Sequence, residues 1–480
     1  MTMQARLPIQ FYFVVGGTLA LLFTMALQYP LVTTFPIGGD ATRYILKLLE
    51  VPAAAQEDRI IEAGTKLFTN TSYPGAQIIL ATSALLPVPW PERFTWWMSL
   101  GHIATGLMIG YLAWRVSDWR AAVASIAIWS LTFVSVLPDI EDGTLAQLWS
   151  FPFVIWFLER CMQRSWMWAA IAAVLSMATH PISGAIILLV GAISLPIIFR
   201  PSLPHKGRLK LQYLAFTIFI TLAFASTSRF IFQSVRSVLT AQLPFESSEP
   251  FTNILYSPFG PFLIMAPIGV FLLMRQKPVY QLIPLLTFTV LGLLLAFNDR
   301  IGAGFYPSRF LSYPIISATV FAAIALPTLL KSAVPYKALR WSFAVLLIMS
   351  SALYTWNDNS RIFAFYESPS KYARLHPHEH EAIEWLKENT PADVFVVSSN
   401  ANRHSEWIPI LSTRQWRPLV AEDTLWNLKG DALHVYLKDT PYTHLALFKH
   451  REKPSDLFPL DDSAYPIVFE NKGAMIIQLK

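Results

Sequence analysis

Two acidic sites stand out in an otherwise apolar chain. Asp40 follows Ile37-Gly38-Gly39, just after the first apolar run. Paired glycines let the backbone turn tightly and bring a carboxylate back to a membrane surface. There it can deprotonate an acceptor hydroxyl as a general base. The plainer alternative is that Asp40 caps a helix beginning at Ala41. The second site is Asp139-Ile140-Glu141-Asp142, placed where the third apolar run ends. Asp139 and Glu141 there could orient a sugar, move a proton, or bind a divalent cation (Mg or Mn) through oxygen ligands. Its plainer alternative is a solvated loop in which Asp142 caps the next helix.

Cations at apolar-run ends supply the complementary chemistry. Arg309, in Tyr306-Pro307-Ser308-Arg309-Phe310, sits where a run begins. Its planar fork of donors suits a phosphate, although interfacial arginines also serve as anchors. Arg300 and Arg229 are weaker versions of the same idea. His180, in Thr179-His180-Pro181, could hydrogen-bond a phosphate or a sugar hydroxyl, or could simply end a helix. His376-Pro377-His378-Glu379-His380 suggests metal binding at first sight. Pro377 and the onset of a helix argue against the strand that alternate-position chelation needs. HExxH, paired CxxC, GxSxG, phosphate-loop and GxGxxG patterns are absent from the sequence.

The elements that carry these residues follow from composition. Of the 480 residues 54% are hydrophobic and 14% charged, which marks an integral membrane protein. Charge is unevenly spread: 37 of the first 356 residues are charged, against 31 of the last 124. That step places a boundary near Trp356, with a membrane domain at 1–356 and a water-soluble domain at 357–480. The single Cys161 makes no internal disulfide. Net positive charge comes from the membrane part and reads as loop charge, so no nucleic-acid partner is expected.

A bilayer core of ~30 Å needs about 20 apolar residues per helix. Runs at 11–29, 94–114, 120–138, 146–159, 166–178, 182–199, 211–228, 259–274, 279–297, 310–330 and 339–356 are expected to cross. Ala76–Leu86 is too short to span comfortably and is expected to lie at the surface. With that choice, the side holding Arg115, Arg160, Arg200, Arg275 and Lys331 carries 14 basic residues and only Asp118 and Glu159 as acids. The positive-inside rule makes that side cytoplasmic. The expectation is an all-α polytopic membrane domain of about eleven transmembrane helices in the plasma (inner) membrane. Its N-terminus is cytoplasmic, and it is followed by a small extracytoplasmic α/β domain. In that tail, Glu379–Asn389 reads as a helix stopped by Pro391. Val394–Val397 and Thr443–Phe448 read as strands, and Tyr465–Glu470 and Ala474–Leu479 as a hairpin about Asn471-Lys472-Gly473.

Gly39-Asp40 after span one, Tyr73-Pro74-Gly75 opening a short apolar helix and Asp139-Ile140-Glu141 after span three form an arrangement. With Glu384–Pro391 opening an outer domain, it resembles the GT-C superfamily of membrane glycosyltransferases. The resemblance implies an essential Asp in the first outer loop and a lipid-phosphate-linked sugar donor. No WWDYG-type segment occurs in the tail, so transfer to asparagine is not implied, and Pro74-Gly75 stands where relatives carry Pro-Pro. The expected function is inverting transfer of a sugar from a polyprenyl-phosphate-linked donor to a glycan, lipid or protein acceptor on the outer face. Asp40 is the base, Asp139 and Glu141 bind substrate or a cation, and Arg309 meets the leaving phosphate. The rival is a transporter or lipid flippase, which calls for charges inside spans and internal repeats. Charges here gather at span ends, and no repeat is seen.

Overall fold

The computed structural model describes residues 9–33, 36, 41–56, 74–85, 87–132, 144–198, 257–301, 307–366, 375–399, 404–419, 431–449 and 465–479. The chain divides into two compact units. The first comprises Met1–Val32, Leu67–Thr82 and Trp96–Ser360, and the second Thr33–Lys66, Ser83–Thr95 and Arg361–Lys480.

In chain order the helices of the first 366 residues are α1 (Ile9–Val32), α2 (Ala41–Gln56), α3 (Pro74–Ala81), α4 (Glu92–Val116), α5 (Trp119–Ser130), α6 (Leu145–Met162) and α7 (Trp166–Thr179). There follow α8 (Pro181–Ile198), α9 (Gly260–Gln276), α10 (Val279–Ala296), α11 (Pro307–Phe310), α12 (Ser312–Ala333) and α13 (Lys337–Tyr366). Three described stretches are long and apolar enough to cross a membrane: Tyr12–Val32, Val279–Ala296 and Pro307–Ala333. α7, α9 and the Pro181–Ser194 part of α8 are apolar but shorter. The expected run at 211–228 lies outside the described residues, as does the end of the run at 120–138. α3 has eight residues and passes into a 3₁₀ turn, Thr82–Leu85. At 1.5 Å per residue it rises about 12 Å, less than half a bilayer core.

Small residues let the helices of this unit approach closely, as is usual for apolar bundles. An ideal Cβ on Gly269 of α9 would lie 1.8 Å from the Phe321 carbonyl oxygen of α12. At one end of the bundle Glu159 is buried and meets both Arg115 Nε (3.2 Å) and Arg160 Nε (3.0 Å), while the Tyr111 hydroxyl donates to it (3.2 Å). Two basic residues expected on one membrane face thus converge on one acid. Elsewhere Gln28 of α1 donates to the Trp356 carbonyl and to Ser360 Oγ of α13, each at 2.9 Å. It also accepts from Asn359 at 3.1 Å, and both amides are buried.

The second unit holds α2 and the tail. The tail contains α14 (Pro377–Asn389), β1 (Phe395–Ser399), a 3₁₀ turn (His404–Glu406), α15 (Trp407–Ser412) and β2 (Gln415–Leu419). It continues through α16 (Asp431–Lys438), β3 (His444–Phe448), β4 (Ile467–Glu470) and β5 (Ala474–Gln478). The sheet order is β2-β1-β3-β5-β4, with β1 parallel to β2 and β3, and the β4–β5 hairpin antiparallel. β3 is buried at every position, as a strand covered on both faces should be. Leu445 and Leu447 share a core with Leu437 of α16 and with Val397, Met475 and Ile477. The His376 imidazole caps α14 by accepting from the His378 amide (3.3 Å), and Glu379 closes the box on the His376 amide (2.9 Å). The histidine-rich segment is therefore a helix start.

Candidate functional site

Helix ends from one side of the helical unit bring their polar side chains together. α6, α8 and α12 meet there, with Ser150 Oγ, Ser183 Oγ and the Tyr313 hydroxyl linked at 2.7 and 2.6 Å. His180 stands between α7 and α8, and its Nδ1 lies 2.7 Å from Ser183 Oγ. The Ser183 backbone N–H also donates to Nδ1, at 3.3 Å. Nδ1 is therefore an acceptor, which places the ring proton on Nε2. Burial, then the positive charge of Arg309, push the His180 pKa well below its ordinary value, so the imidazole is neutral.

Arg309 lies on the one-turn helix α11, where the Pro307–Ala333 stretch starts. Gln147 in the first turn of α6 donates to the Arg309 backbone carbonyl at 2.7 Å. That bond fixes the arginine's backbone to the helix that directly follows the Asp139–Asp142 segment. The short helix α3 joins through backbone contact. An ideal Cβ at Gly75 of α3 would lie 2.9 Å from the Ala178 carbonyl carbon and the Thr179 nitrogen, next to His180. Any larger residue would hold α3 away from the end of α7.

Of the sequence-predicted site residues, His180 and Arg309 are brought within electrostatic reach of each other. Arg300 lies on a 3₁₀ turn after α10 (Asn298–Ile301), with its side chain 70% exposed and 3.6 Å from Asp299. Asp40, Asp139, Glu141 and Arg229 lie outside the described residues. Among the described residues no three His, Cys, Asp or Glu side chains are grouped to hold a metal ion.

The sequence matches no protein-family model and no curated protein. Its structure does have solved counterparts. ArnT from Cupriavidus metallidurans bound to undecaprenyl phosphate aligns with a TM-score of 0.61 at 12% identity, over 98% of this chain and 98% of that one. The apo form of the same protein gives 0.61 over 98% and 97%. The archaeal oligosaccharyltransferase AglB from Archaeoglobus fulgidus, in complex with an inhibitory peptide and a dolichol-phosphate, gives 0.57 at 14% identity. That alignment covers 92% of this chain and 69% of that one. The chain shares its fold with these two proteins, both GT-C glycosyltransferases.

Within this fold the network residues Gln147, Ser150, Ser183 and Tyr313 were not singled out from sequence. A signal for them exists: Gln147 and Ser150, and likewise His180 and Ser183, are spaced i, i+3 in the first turn or so of an apolar helix. Polar residues one turn inside an apolar run share a face only once the helix is drawn, and they meet partners only once helices pack.

Proposed function

We propose that the protein is a membrane glycosyltransferase that moves a sugar from a polyprenyl-phosphate-linked donor to an acceptor on the outer face of the membrane. The observation that carries this reading is the end-to-end GT-C alignment with a structure bound to undecaprenyl phosphate. The neutral His180 beside cationic Arg309 supports it, because an anionic headgroup at a bilayer edge needs a cation and hydrogen-bond donors together.

In the proposed reaction the acceptor hydroxyl oxygen attacks the anomeric carbon from the face opposite the phosphate. The Asp40 carboxylate takes the hydroxyl proton. The bond from the anomeric carbon to the phosphate oxygen breaks, and polyprenyl phosphate leaves with the electron pair. Arg309 offsets the charge that develops on that oxygen, and His180 Nε2–H is suited to donate to the phosphate. Asp139 and Glu141 orient donor or acceptor and are the residues that would hold a divalent cation. Such a cation would add a positive charge beside the phosphate.

The test uses the full-length protein in native membranes, with a panel of polyprenyl-phosphate sugars. Wild type should release polyprenyl phosphate from at least one donor, and Asp40→Asn at normal expression should be slower by ~10²–10⁴-fold. Sensitivity to chelators would support the cation. A wild type that releases no polyprenyl phosphate, while sealed vesicles accumulate lipid or solute, would replace the transferase reading with that of a transporter.

A further inference from the structure

α2 begins at Ala41, the residue after Asp40, and its first turn is packed rather than solvated. Ala41, Thr42, Tyr44 and Ile45 are all buried. The Thr42 hydroxyl donates to Glu406 Oε2, a buried bond between side chains 364 residues apart. Glu406 ends the 3₁₀ turn ahead of α15 and occupies that helix's N-cap position, yet its side chain makes no capping bond there. Its carboxylate serves α2 instead. α2 packs against α15 and that 3₁₀ turn, and the Tyr44 ring stands 6.4 Å from Phe94. A negative charge at the first turn of a helix is favoured by the helix dipole. A hydrogen bond to a carboxylate is roughly twice as strong as a neutral one.

We propose that Glu406 is a positioning residue for sugar transfer: through Thr42 the tail holds the first turn of α2, and thereby the backbone on which Asp40 is mounted. The proposal rests on the reading of Asp40 as the base. Its physical content is that a base must sit within hydrogen-bond reach of the proton it removes. A displacement of ~1 Å commonly costs about 100-fold in rate. It also gives the soluble tail a role in the chemistry that needs no substrate contact.

The test measures full-length variants in proteoliposomes with whichever polyprenyl-phosphate sugar wild type turns over. Thr42→Val keeps the shape and removes the hydroxyl, Thr42→Ser keeps the hydroxyl, and Glu406→Gln removes the charge. Thr42→Val and Glu406→Gln should each lower kcat by about 10–100-fold with donor KM unchanged. The double variant should be no slower than the slower single, and Thr42→Ser should stay near wild type. Amide hydrogen exchange over residues 41–48 should quicken in Thr42→Val and Glu406→Gln, and not in Thr42→Ser. Wild-type turnover in Thr42→Val beside an inactive Asp40→Asn would sink the positioning role alone, as would losses that multiply in the double variant. Wild-type turnover in Asp40→Asn would sink the base assignment and the positioning role with it, even if exchange showed Glu406 holding α2.

Discussion

Arg309 illustrates what one side chain can and cannot be read for. Its guanidinium is a fixed fork of donors, and its backbone carbonyl is held by Gln147 at 2.7 Å. Charge-assisted bonds are worth ~1.5–3 kcal/mol, so Arg309→Ala should raise the KM for a polyprenyl-phosphate donor by roughly 10–150-fold. Arg309→Lys keeps the charge and loses the fork, and should fall between. Steady-state kinetics over a range of donor concentrations would show this, and an unchanged KM in Arg309→Ala would make the residue an anchor. The arginine was legible in the sequence because a lone cation beside aromatics at the start of an apolar run is conspicuous. Tyr313 was not, although it touches Ser183 at 2.6 Å. A tyrosine at a membrane interface is ordinary, and its partner lies 130 residues away. His180 was legible by position alone. Its neutral state follows from burial and then from Arg309, which act on it only through folding, and Ser183 fixes its tautomer.

At the scale of elements, close approach decides more than propensity does. Gly269 allows α9 and α12 to touch backbone to backbone. Gly269→Ala would drive a methyl into the Phe321 carbonyl and should lower stability by about 1–3 kcal/mol, seen as a lower melting temperature in detergent. Gly75→Ala is expected to leave the bundle folded while shifting α3 beside His180. It should therefore lower turnover more than thermal stability, and a variant with wild-type turnover would remove α3 from the site. The short helix α3, α14 with its Pro391 stop, β3 and the terminal hairpin could all be read from periodicity and turn residues. β2 could not: Gln415-Trp416-Arg417-Pro418-Leu419 has a proline and no alternating pattern. It forms at the sheet edge, where a proline is tolerated. The parallel partner it finds in β1 is a tertiary fact.

For the whole molecule, the expected orientation rests on 14 basic residues against two acids in the loops assigned to the cytoplasm. The native Cys161 is buried and gives a silent background. An Ala392→Cys variant, exposed in the tail, should react with an impermeant thiol reagent in intact cells, and a Ser332→Cys variant in the exposed last turn of α12 should not. The opposite pattern would invert the topology and put the proposed sugar transfer on the other face. The Gln28–Asn359 amide pair carries a consequence for biosynthesis. The two residues are 331 positions apart, and at about 5–20 residues per second they leave the ribosome roughly 15–65 s apart. Throughout that interval the first helix displays a polar amide in lipid with its eventual mate still untranslated. Nascent chains halted before residue 340 should therefore be marked for membrane quality control, and a Gln28→Leu change should lengthen the lifetime of those fragments even as it loosens the finished protein.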